Sequence, residues 1–375
     1  MKILCLNNEY PPVGGGGATA SEILSESLVA HGHSVHVVTA AFDGLPPQEQ
    51  RRGVTIHRVP CVRRHRHYST AIELATFLVP SYRKALALHR EHGFDLNHTH
   101  FAVPAGAVSW AIQRKTGLPY VITAHGSDVP GYNPDRFQVL HRIMRPVWRA
   151  IVEGSRGITV PSEFLRGLLS DRTQRPIELI PYVFPAEPAV ETVRQNRVLC
   201  ASRLVPRKGV QHVLEALARI ESDWEIVVAG DGPHRAVLEA QAQRLGLNVE
   251  FVGHLHRDEL LDLYRTSKVF AFTSLQENFP MVLLEALAAG CAVVTSEESG
   301  CAEVTGNAAL KVPAGDVDAV EHALRSLLND PSEVQRLGRL GRARAEEFSS
   351  DRVTSRYEAF FERCLASDTA PGAGL

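Results

Sequence analysis

Length, charge and cysteine content exclude several classes of protein. The chain has 375 residues, 44% of them hydrophobic, and no apolar run long enough to span a bilayer, which predicts a globular protein with two domains. A net charge of −2 argues against a nucleic-acid binder. The six cysteines include no Cys-x-x-Cys pair, which argues against a disulfide frame. Because the first residues do not resemble a signal peptide, we expect a cytoplasmic protein.

The charge is unevenly distributed along the chain. Residues 1–187 carry a net charge of +5 and the remainder −7. The densest basic groups are the run Arg63–His67 and a helical series formed by Arg142, Arg145 and Arg149. A solvated protein face is the ordinary explanation of such groups. The alternative is peripheral contact with an anionic membrane, at its inner face, or with a phosphate-bearing acceptor.

A strand, a glycine-rich loop, a helix and a second strand are predicted at the start of the chain, at residues 2–6, 14–17, 18–31 and 34–39. Glycines let a backbone come close to a ligand, and the carboxyl end of a first parallel strand is a usual binding edge. The four glycines therefore allow close approach to a ligand, with a flexible linker as the alternative. The loop lacks the Gly-x-Gly-x-x-Gly spacing of a dinucleotide site.

Strands and helices alternate along the rest of the first half. The predicted elements are strand 54–59, helix 70–92, helix 103–115, strand 119–124, helix 136–152, strand 157–162 and strand 177–180. This alternation predicts an α/β domain with a doubly wound parallel sheet. His125 and Asp128 directly follow a strand, where side chains project into the ligand crevice of such a sheet.

A Pro-rich stretch around residues 181–196 predicts an interdomain linker. The predicted elements of the second unit are strand 197–201, helix 210–220, strand 224–229, a helix that begins at Pro233, a strand and its following loop that together occupy 249–255, strand 269–273, and helices 317–329 and 333–348. Two such units in tandem predict two sheets facing each other across a ligand cleft. We place the domains at residues 1–185 and 186–350, followed by a helix over 351–366 and a flexible tail over 367–375.

The most informative stretch is Gln276–Gly290, which joins a buried strand to a helix that ends at Gly290. Pro280 suits the first helical position because its missing N–H needs no partner there, which places Glu277 before the helix and Glu285 within it. Free N–H groups at the helix start would seat phosphate oxygens, and the carboxylates would accept hydrogen bonds from hydroxyls. A nucleotide sugar carries both kinds of group. The alternative interpretation is that both glutamates are solvated surface residues. The apolar residues around Glu285 favour instead a buried carboxylate with a partner.

Two patterns invite a metal interpretation. Four histidine pairs lie along the chain: His31/His33, His65/His67, His98/His100 and His254/His256. None has a third ligand at the usual spacing, so loop and capping histidines are the prediction. The second pattern is Asp316-Val317-Asp318, which precedes a predicted helix and is expected to cap it.

These stretches together resemble family 4 of the retaining glycosyltransferases over nearly the whole chain. The motifs that carry the resemblance are Tyr10-Pro11-Pro12, His125-Gly126-x-Asp128, Arg203-Leu204 with Lys208-Gly209, Gly230-Asp231-Gly232-Pro233, Glu277-x7-Glu285 with Phe279-Pro280, and Gly300-x-x-Glu303. The resemblance implies the GT-B fold, with two Rossmann-like domains facing each other and a C-terminal helix packing back on the first. It also implies sugar transfer from a nucleotide-diphosphate sugar to a hydroxyl of a glycan, lipid-linked or small-molecule acceptor, with no metal or other cofactor.

The resemblance also implies roles for matching positions. Arg203 and Lys208 would hold the donor diphosphate. Glu285 would bind the ribose hydroxyls, and Glu277 a hydroxyl of the transferred sugar, beside which His125 would lie. The other implied donor contacts are Gly15, Gly16, Gly253, His254, Leu255, Asn278, Phe279, Pro280, Met281 and Val282. The acceptor-side candidates are Tyr10, His100 and Asp128.

By the same resemblance, the leaving phosphate accepts the acceptor's proton on the face from which it departs. Glu277 is the only carboxylate of the motif near enough for a double displacement instead. Three positions depart from the family pattern. Asn278 and Ser202 each replace a usual glycine, and Ile180–Val183 replaces Pro-Asn-Gly at the domain junction. Asn278 can adopt the left-handed conformation that glycine allows.

Two other kinds of function stay open on the sequence. A nucleotide-sugar epimerase would rework the donor with no acceptor, and a sugar phosphorylase of related fold would carry a lysine placed for pyridoxal phosphate. A non-catalytic nucleotide-sugar sensor would bind the donor without turnover and would tolerate Glu277→Ala.

Overall fold

The computed structural model describes residues 1–66, 68–132, 138–185 and 192–366, without the side chains of residues 138–143 and 299. The chain divides into two compact units, Met1–Val183 together with Ser350–Leu375, and Phe184–Ser349. The predicted helix start at Arg136, part of the linker and the tail over 367–375 lie outside the described residues.

The N-terminal unit is built on a sheet of eight strands among the described residues. In chain order they are β1 (Lys2–Leu6), β2 (Ser34–Ala40), β3 (Gln48–Arg51), β4 (Val54–Val59), β5 (Leu96–His100), β6 (Tyr120–Thr123), β7 (Ile158–Val160) and β8 (Ile177–Leu179). The spatial order is β3-β4-β2-β1-β5-β6-β7-β8, and only β3 runs antiparallel to its neighbour. Sequence analysis missed β3 because its residues are polar and alternate between exposed and half-buried at the sheet edge.

Helices cover this sheet, and the predicted bounds hold within about two residues, although α1 begins at Gly16, inside the run predicted as a loop. They are α1 (Gly16–Ala30), α2 (Ala71–His92), α3 (Ala105–Thr116), α4 (Gln138–Gly154) and α5 (Glu163–Ser170). Thr70 and Glu73 form a capping box at the start of α2, and Ser162 caps α5 through the N–H of Leu165. Strand β1 lies at the centre of the core, since Ile3, Leu4 and Leu6 are fully buried.

The C-terminal unit has a second, wholly parallel sheet. Its strands are β9 (Gln195–Ala201), β10 (Glu225–Ala229), β11 (Val249–Gly253), β12 (Ser267–Phe272), β13 (Ala292–Ser296) and β14 (Ala309–Val312). Its helices are α6 (Val210–Leu217), α7 (Arg235–Arg244), α8 (Arg257–Thr266), α9 (Met281–Ala289), α10 (Ser299–Thr305), α11 (Val317–Asn329) and α12 (Pro331–Glu346). The strand order β11-β10-β9-β12-β13-β14 is that of a Rossmann fold, and the predicted pair of doubly wound domains is confirmed.

The last helix, α13 (Ser350–Ala366), belongs to the N-terminal unit, as predicted. It packs on α1, where the hydroxyls of Ser27 and Thr354 lie 2.7 Å apart in the interior. The ring of Phe360 fills the space beside Gly157, where a Cβ would lie 2.9 Å from it. In the described part of the chain, no helix is long and apolar enough to cross a membrane.

Candidate active site

Three of the predicted donor residues, Arg203, Lys208 and Glu277, lie at the carboxyl ends of β9 and β12, where the strand order of the C-terminal sheet reverses. The loop after β9 carries Arg203 and, in a single 3₁₀ turn, Lys208. The loop after β12 carries Glu277. Because β9 and β12 are neighbours, the loops emerge side by side, and the N–H of Leu275 donates to the carbonyl of Arg207 at 2.8 Å. Open α/β sheets bind ligands at such a reversal.

Lys208 and Glu277 form an ion pair through Nζ and Oε1, and their side chains are only 15% and 12% exposed. The same carboxylate oxygen accepts a hydrogen bond from Ser274 Oγ at 2.7 Å, and the ammonium lies 5.3 Å from the centre of the Phe272 ring. Desolvating two charges costs on the order of several kcal/mol per ion, so stability alone does not explain the pair. An ammonium has three N–H donors, and this pair uses one of them.

Helix α9 begins one residue later than predicted. Pro280 is its N-cap, with an extended ψ of 104°, and the first helical residue is Met281. Glu277 still precedes the helix and Glu285 lies within it. No side chain caps this end among the described residues, so the N–H groups of Met281 and Val282 and the positive end of the helix dipole are available to an anion.

Glu285 lies on α9 beside Tyr264, a fully buried residue of α8. Burial raises the pKa of Glu285 to about 7, against the opposing effects of the Tyr264 hydroxyl and of Arg257. The buried Tyr264 hydroxyl has no hydrogen-bond partner within the described part of the chain, so this side of Glu285 presents a neutral phenol. Donors that hydrogen-bond to this carboxylate favour its charged form.

The loop between β12 and α9 depends on Gly300 rather than on a left-handed Asn278. Among the described residues other than glycine, positive φ occurs at Arg52 and Phe101 alone, so the conformation expected for Asn278 is not used. A Cβ on Gly300 would collide with the carbonyl of Asn278, and the Gly300 N–H donates to the carbonyl of Glu277 at 3.1 Å. A side chain at position 300 would displace the loop that carries Glu277.

Arg203 is exposed, and no hydrogen bond or ion pair holds its side chain within the described residues. Its backbone is fixed by the loop after β10. The N–H of Leu204 donates to the carbonyl of Asp231 at 2.9 Å. A Cβ on Gly230 would collide with the carbonyl of Ser202, so these two loops meet closely through their backbones. Arg203 thus projects from a rigid loop with its guanidinium unengaged.

The stretch Gly253–Leu255 ends β11, two strands from β9. The carbonyl of Gly253 accepts a hydrogen bond from the N–H of Gly230 at 2.7 Å, and His254 is exposed. These residues share the carboxyl edge of the sheet with Arg203.

In the N-terminal unit, His100, an acceptor-side candidate, and His125 form a buried polar chain with Tyr182, which was not predicted. His125 Nε2 lies 3.0 Å from His100 Nδ1, and His125 Nδ1 lies 2.7 Å from the hydroxyl of Tyr182. The three side chains come from the ends of β5, β6 and β8. Each neutral imidazole has a single N–H, so the tautomer of one histidine fixes which atoms donate and which accept in the other hydrogen bonds of the series.

Burial keeps both histidines neutral. It lowers the pKa of His125 to about 3 and holds that of His100 well below its ordinary value, with His98 adding to the effect in both cases. Burial also raises the pKa of the Tyr182 hydroxyl well above its usual range. This region therefore presents uncharged hydrogen-bonding groups at neutral pH.

Phe101, next to this chain, has a backbone conformation that side chains rarely adopt, with φ of 68°. Its ring centre lies 4.5 Å from that of His125. A Cβ on Gly17 would lie 3.0 Å from the Phe101 ring and 3.1 Å from that of His125, whereas Gly15 and Gly16 face open space. Gly17, in the first turn of α1, therefore packs against these two rings, and ligand contact by Gly15 and Gly16 stays a prediction.

Asp128 organises the loop after β6. Its Oδ1 accepts hydrogen bonds from the N–H groups of His125 and Gly126, each at 3.1 Å, and its Oδ2 accepts one from Ala102 at 2.8 Å. Burial raises the pKa of this carboxyl, and those N–H groups oppose the rise. Asp128 positions His125, and Tyr10, only 2% exposed, is likewise a core residue.

The basic run is not a uniformly solvated face, and the expectation was wrong for Arg63. This side chain is 3% exposed, pairs with Glu9 at 3.2 Å and donates to the carbonyl of Asn8 at 3.2 Å. It turns inward and braces the segment that leads to the glycine loop. Arg64 and Arg66 are exposed.

The residues that invited a metal interpretation serve other contacts. His31 and His33 both contact Glu358 on α13, at 3.2 and 2.7 Å. Asp316 caps α11 by accepting from the N–H of Ala319 at 3.0 Å, as predicted. No group of three or more histidine, cysteine, aspartate or glutamate side chains that could hold a metal ion occurs in the described ranges.

Comparison with known families covers both units. Residues 186–344 match the family Glycosyl transferases group 1, and residues 14–187 match Glycosyltransferase Family 4. The chain belongs to the family 4, group 1 glycosyltransferases. The predicted family and enzyme class, a glycosyltransferase, are thereby confirmed.

Relatives of this glycosyltransferase match it over most of its length. An uncharacterized glycosyltransferase of Methanocaldococcus jannaschii is 29% identical over 335 residues, which cover 81% of this chain and 82% of the relative. Among solved structures, sucrose-phosphate synthase of Thermosynechococcus elongatus has a TM-score of 0.83 at 23% identity and covers 98% of this chain and 100% of its own. Anabaena HepE in complex with UDP-glucose has a TM-score of 0.77 at 18% identity, covering 97% and 100%. These structures confirm the GT-B fold.

Sequence analysis of the glycosyltransferase missed two contacts at His125. Tyr182 is 57 positions away along the chain, and it was recognised only as part of a departure from the family pattern. Its position directly after a strand was the available signal. Gly17 lies within the recognised glycine run, but nothing in the sequence distinguishes it from its neighbours.

Proposed function

We propose that this glycosyltransferase moves a sugar from a nucleotide-diphosphate sugar to a hydroxyl acceptor with retention of anomeric configuration. The observation that carries the proposal is the Lys208–Glu277 pair, directly before the uncapped amino end of α9. An ammonium and free helix N–H groups suit a diphosphate, and a carboxylate suits a sugar hydroxyl. The complex of HepE with UDP-glucose supports the same class of donor.

In the proposed reaction, Lys208, Arg203 and the N–H groups of α9 stabilise the negative charge that develops on the nucleoside diphosphate. Glu277 accepts a hydrogen bond from the transferred sugar, and Glu285 accepts hydrogen bonds from the ribose. The charge is neutralised by the protein's own groups, so we propose that no metal is needed. Transfer that persists in excess EDTA would support this, and loss that added Mg²⁺ restores would contradict it.

Retention follows from a reaction on one face of the sugar. The bond from the anomeric carbon to the diphosphate oxygen breaks as the bond to the acceptor oxygen forms, and the acceptor's proton passes to the leaving phosphate. His125 is a weak general base because burial lowers its pKa to about 3, which leaves the phosphate as the proton acceptor. We assign His125 a hydrogen bond to the reacting sugar.

A donor panel tests the proposal. UDP-, GDP- and ADP-sugars are compared by thermal shift, and the stabilising donor is then used for transfer. We expect one base to raise the melting temperature and Lys208→Ala to abolish that rise. NMR of the product then reports the anomeric configuration. A melting curve that no donor shifts at high concentration would overturn the donor assignment, and an inverted product would overturn the mechanism.

We propose that the acceptor binds on the N-terminal unit near His125. Arg145 and Arg149 are exposed on α4, which is consistent with contact between this unit and an anionic surface. Co-sedimentation with anionic vesicles should then fall as salt rises and should weaken in the Arg145→Gln/Arg149→Gln variant. If no binding occurs at low ionic strength, the acceptor is soluble.

A further inference from the structure

A cavity of about 620 Å³ lies at the amino ends of the strands in the C-terminal sheet. Asn196 in β9 and Lys268 in β12 line it, and so does Trp224, which directly precedes β10. Arg203, Lys208 and Glu277 of the candidate donor site lie beyond the carboxyl ends of β9 and β12. A strand as long as β12 spans roughly 20 Å, so the cavity is separate from the candidate donor site.

The wall of this cavity is basic. Of the thirteen described residues that line it, four are cations and none is acidic; the cations are Arg194, Lys268, Arg339 and Arg342. Arg339 and Arg342 are exposed and lie three residues apart on α12, where like charges destabilise a helix. The arrangement is unfavourable for the empty protein and favourable once an anion is bound.

Three neighbouring carboxylates are engaged elsewhere. Glu225, next to Trp224, pairs with Arg197 at 2.8 Å. Glu333 pairs with Arg336 at 2.6 Å on another face of α12. Asp330 caps that helix through the N–H groups of the first turn. These acidic residues, although close in sequence, do not neutralise the cavity.

The two inner cations are held by uncharged oxygens. Arg194 donates to the carbonyl of Ser267 at 2.6 Å and to that of Ala289. Lys268 donates to the side-chain oxygen of Asn196 at 2.6 Å and lies 5.7 Å from the centre of the Trp224 ring. Both charges are therefore fixed in place without a counter-ion, and arginine and lysine held in this way suit phosphate oxygens.

We propose that this cavity binds a phosphorylated small molecule, between a sugar phosphate and a mononucleotide in size. Four cations call for a ligand with more than one negative charge. The volume lies within the roughly 300–1,000 Å³ typical of small-molecule sites, and Trp224 provides a flat wall for a ring. The proposal does not depend on the donor assignment.

Titration calorimetry with inorganic phosphate, ribose 5-phosphate and AMP tests the proposal, with ribose and adenosine as uncharged controls. We expect the phosphorylated probes to bind and to change Trp224 fluorescence, a change that Trp224→Phe abolishes. The Arg339→Gln/Arg342→Gln variant should bind at least about tenfold more weakly, because each lost charge-assisted hydrogen bond weakens affinity. Arg336→Gln, on the same helix but outside the cavity, is the matched control and should bind normally.

Three results would overturn the proposal. The first is no binding of any phosphorylated probe. The second is equal affinity in the Arg339→Gln/Arg342→Gln variant and the unaltered protein. The third is binding that Lys208→Gln abolishes and the cavity variant does not, which would assign the phosphate to the candidate donor site. Both arginines are exposed, so unfolding is not expected to obscure the comparison.

Discussion

The candidate donor residues of the C-terminal unit and the candidate acceptor residues of the N-terminal unit use opposite electrostatic strategies. On the donor side, Lys208 and Glu277 are charged, paired and partly reached by solvent. On the acceptor side, His100, His125 and Tyr182 are buried groups whose pKa values all favour the neutral form.

If the proposed function holds, the difference follows from what each side has to do. A diphosphate gains charge as the sugar departs, so the groups that bind it must be charged before it arrives. A hydroxyl acceptor carries no charge, and positioning it needs hydrogen bonds of fixed direction. Buried neutral groups supply these without the desolvation cost of an ion.

The largest expected effect comes from removing a charge on the donor side. Lys208→Ala should lower kcat/KM by an amount equivalent to about 2–4 kcal/mol, because it removes a cation from the developing diphosphate charge. Steady-state kinetics with saturating acceptor measure this. Arg207→Ala, which removes the adjacent exposed cation of the same turn, is the control and should change little. Equal losses in both variants would show a general charge effect rather than a site.

A pH experiment on Glu285 tests the donor side without a substrate. Its folded-state pKa of about 7 lies above the 4.5 of a free glutamate, so the folded state binds the proton more tightly. The contribution of protonated Glu285 to the free energy of unfolding is therefore fully present below pH 4.5. This contribution is lost as the pH rises through 7.

Glu285→Gln removes this dependence. Urea unfolding should show little gain at the acid end and a gain of up to about 3 kcal/mol near about pH 8. The exposed Glu298→Gln serves as the control and should show no pH-dependent gain. A gain in Glu285→Gln that does not vary with pH would mean that the carboxyl is not held neutral by burial.

Substitution of Arg63 tests whether this buried charge stabilises the fold of the N-terminal unit. Arg63→Gln should reduce the free energy of unfolding by about 2 kcal/mol, because Glu9 and the Asn8 carbonyl lose a charged donor. Arg64→Gln, one residue along and exposed, should be neutral. Denaturant unfolding of the two variants measures the difference, and equal stabilities would return Arg63 to the solvated face predicted from the sequence.

The smallest expected effect comes from removing a neutral hydroxyl on the acceptor side. Tyr182→Phe removes the hydroxyl that contacts His125, which should lower kcat roughly fivefold, equivalent to about 1 kcal/mol, and leave the donor KM unchanged. Tyr68→Phe, at an exposed position, is the control. A rise in donor KM, or an unchanged kcat, would remove Tyr182 from the positioning of His125.

The donor side could be largely predicted because its key residues are close in sequence. A strand, a loop with Glu277 and a helix ended by Gly290 follow each other within one short stretch, although Pro280 shifted by one residue and Asn278 does not adopt the left-handed conformation. The acceptor side could not be predicted in the same way. Its contacts join the ends of three strands, and Tyr182 was visible only as an unusual residue.

By itself, the sequence determined the α/β class, two Rossmann-like units and the family, because helix and strand periodicity and short motifs are local properties. Only the tertiary structure decided that Arg63 turns inward, that Gly17 packs against His125 and Gly300 against the Asn278 carbonyl, and that four cations surround one cavity. These features depend on which segments meet. Burial and electrostatic environment arise from contacts between residues far apart in the chain, which no local pattern records.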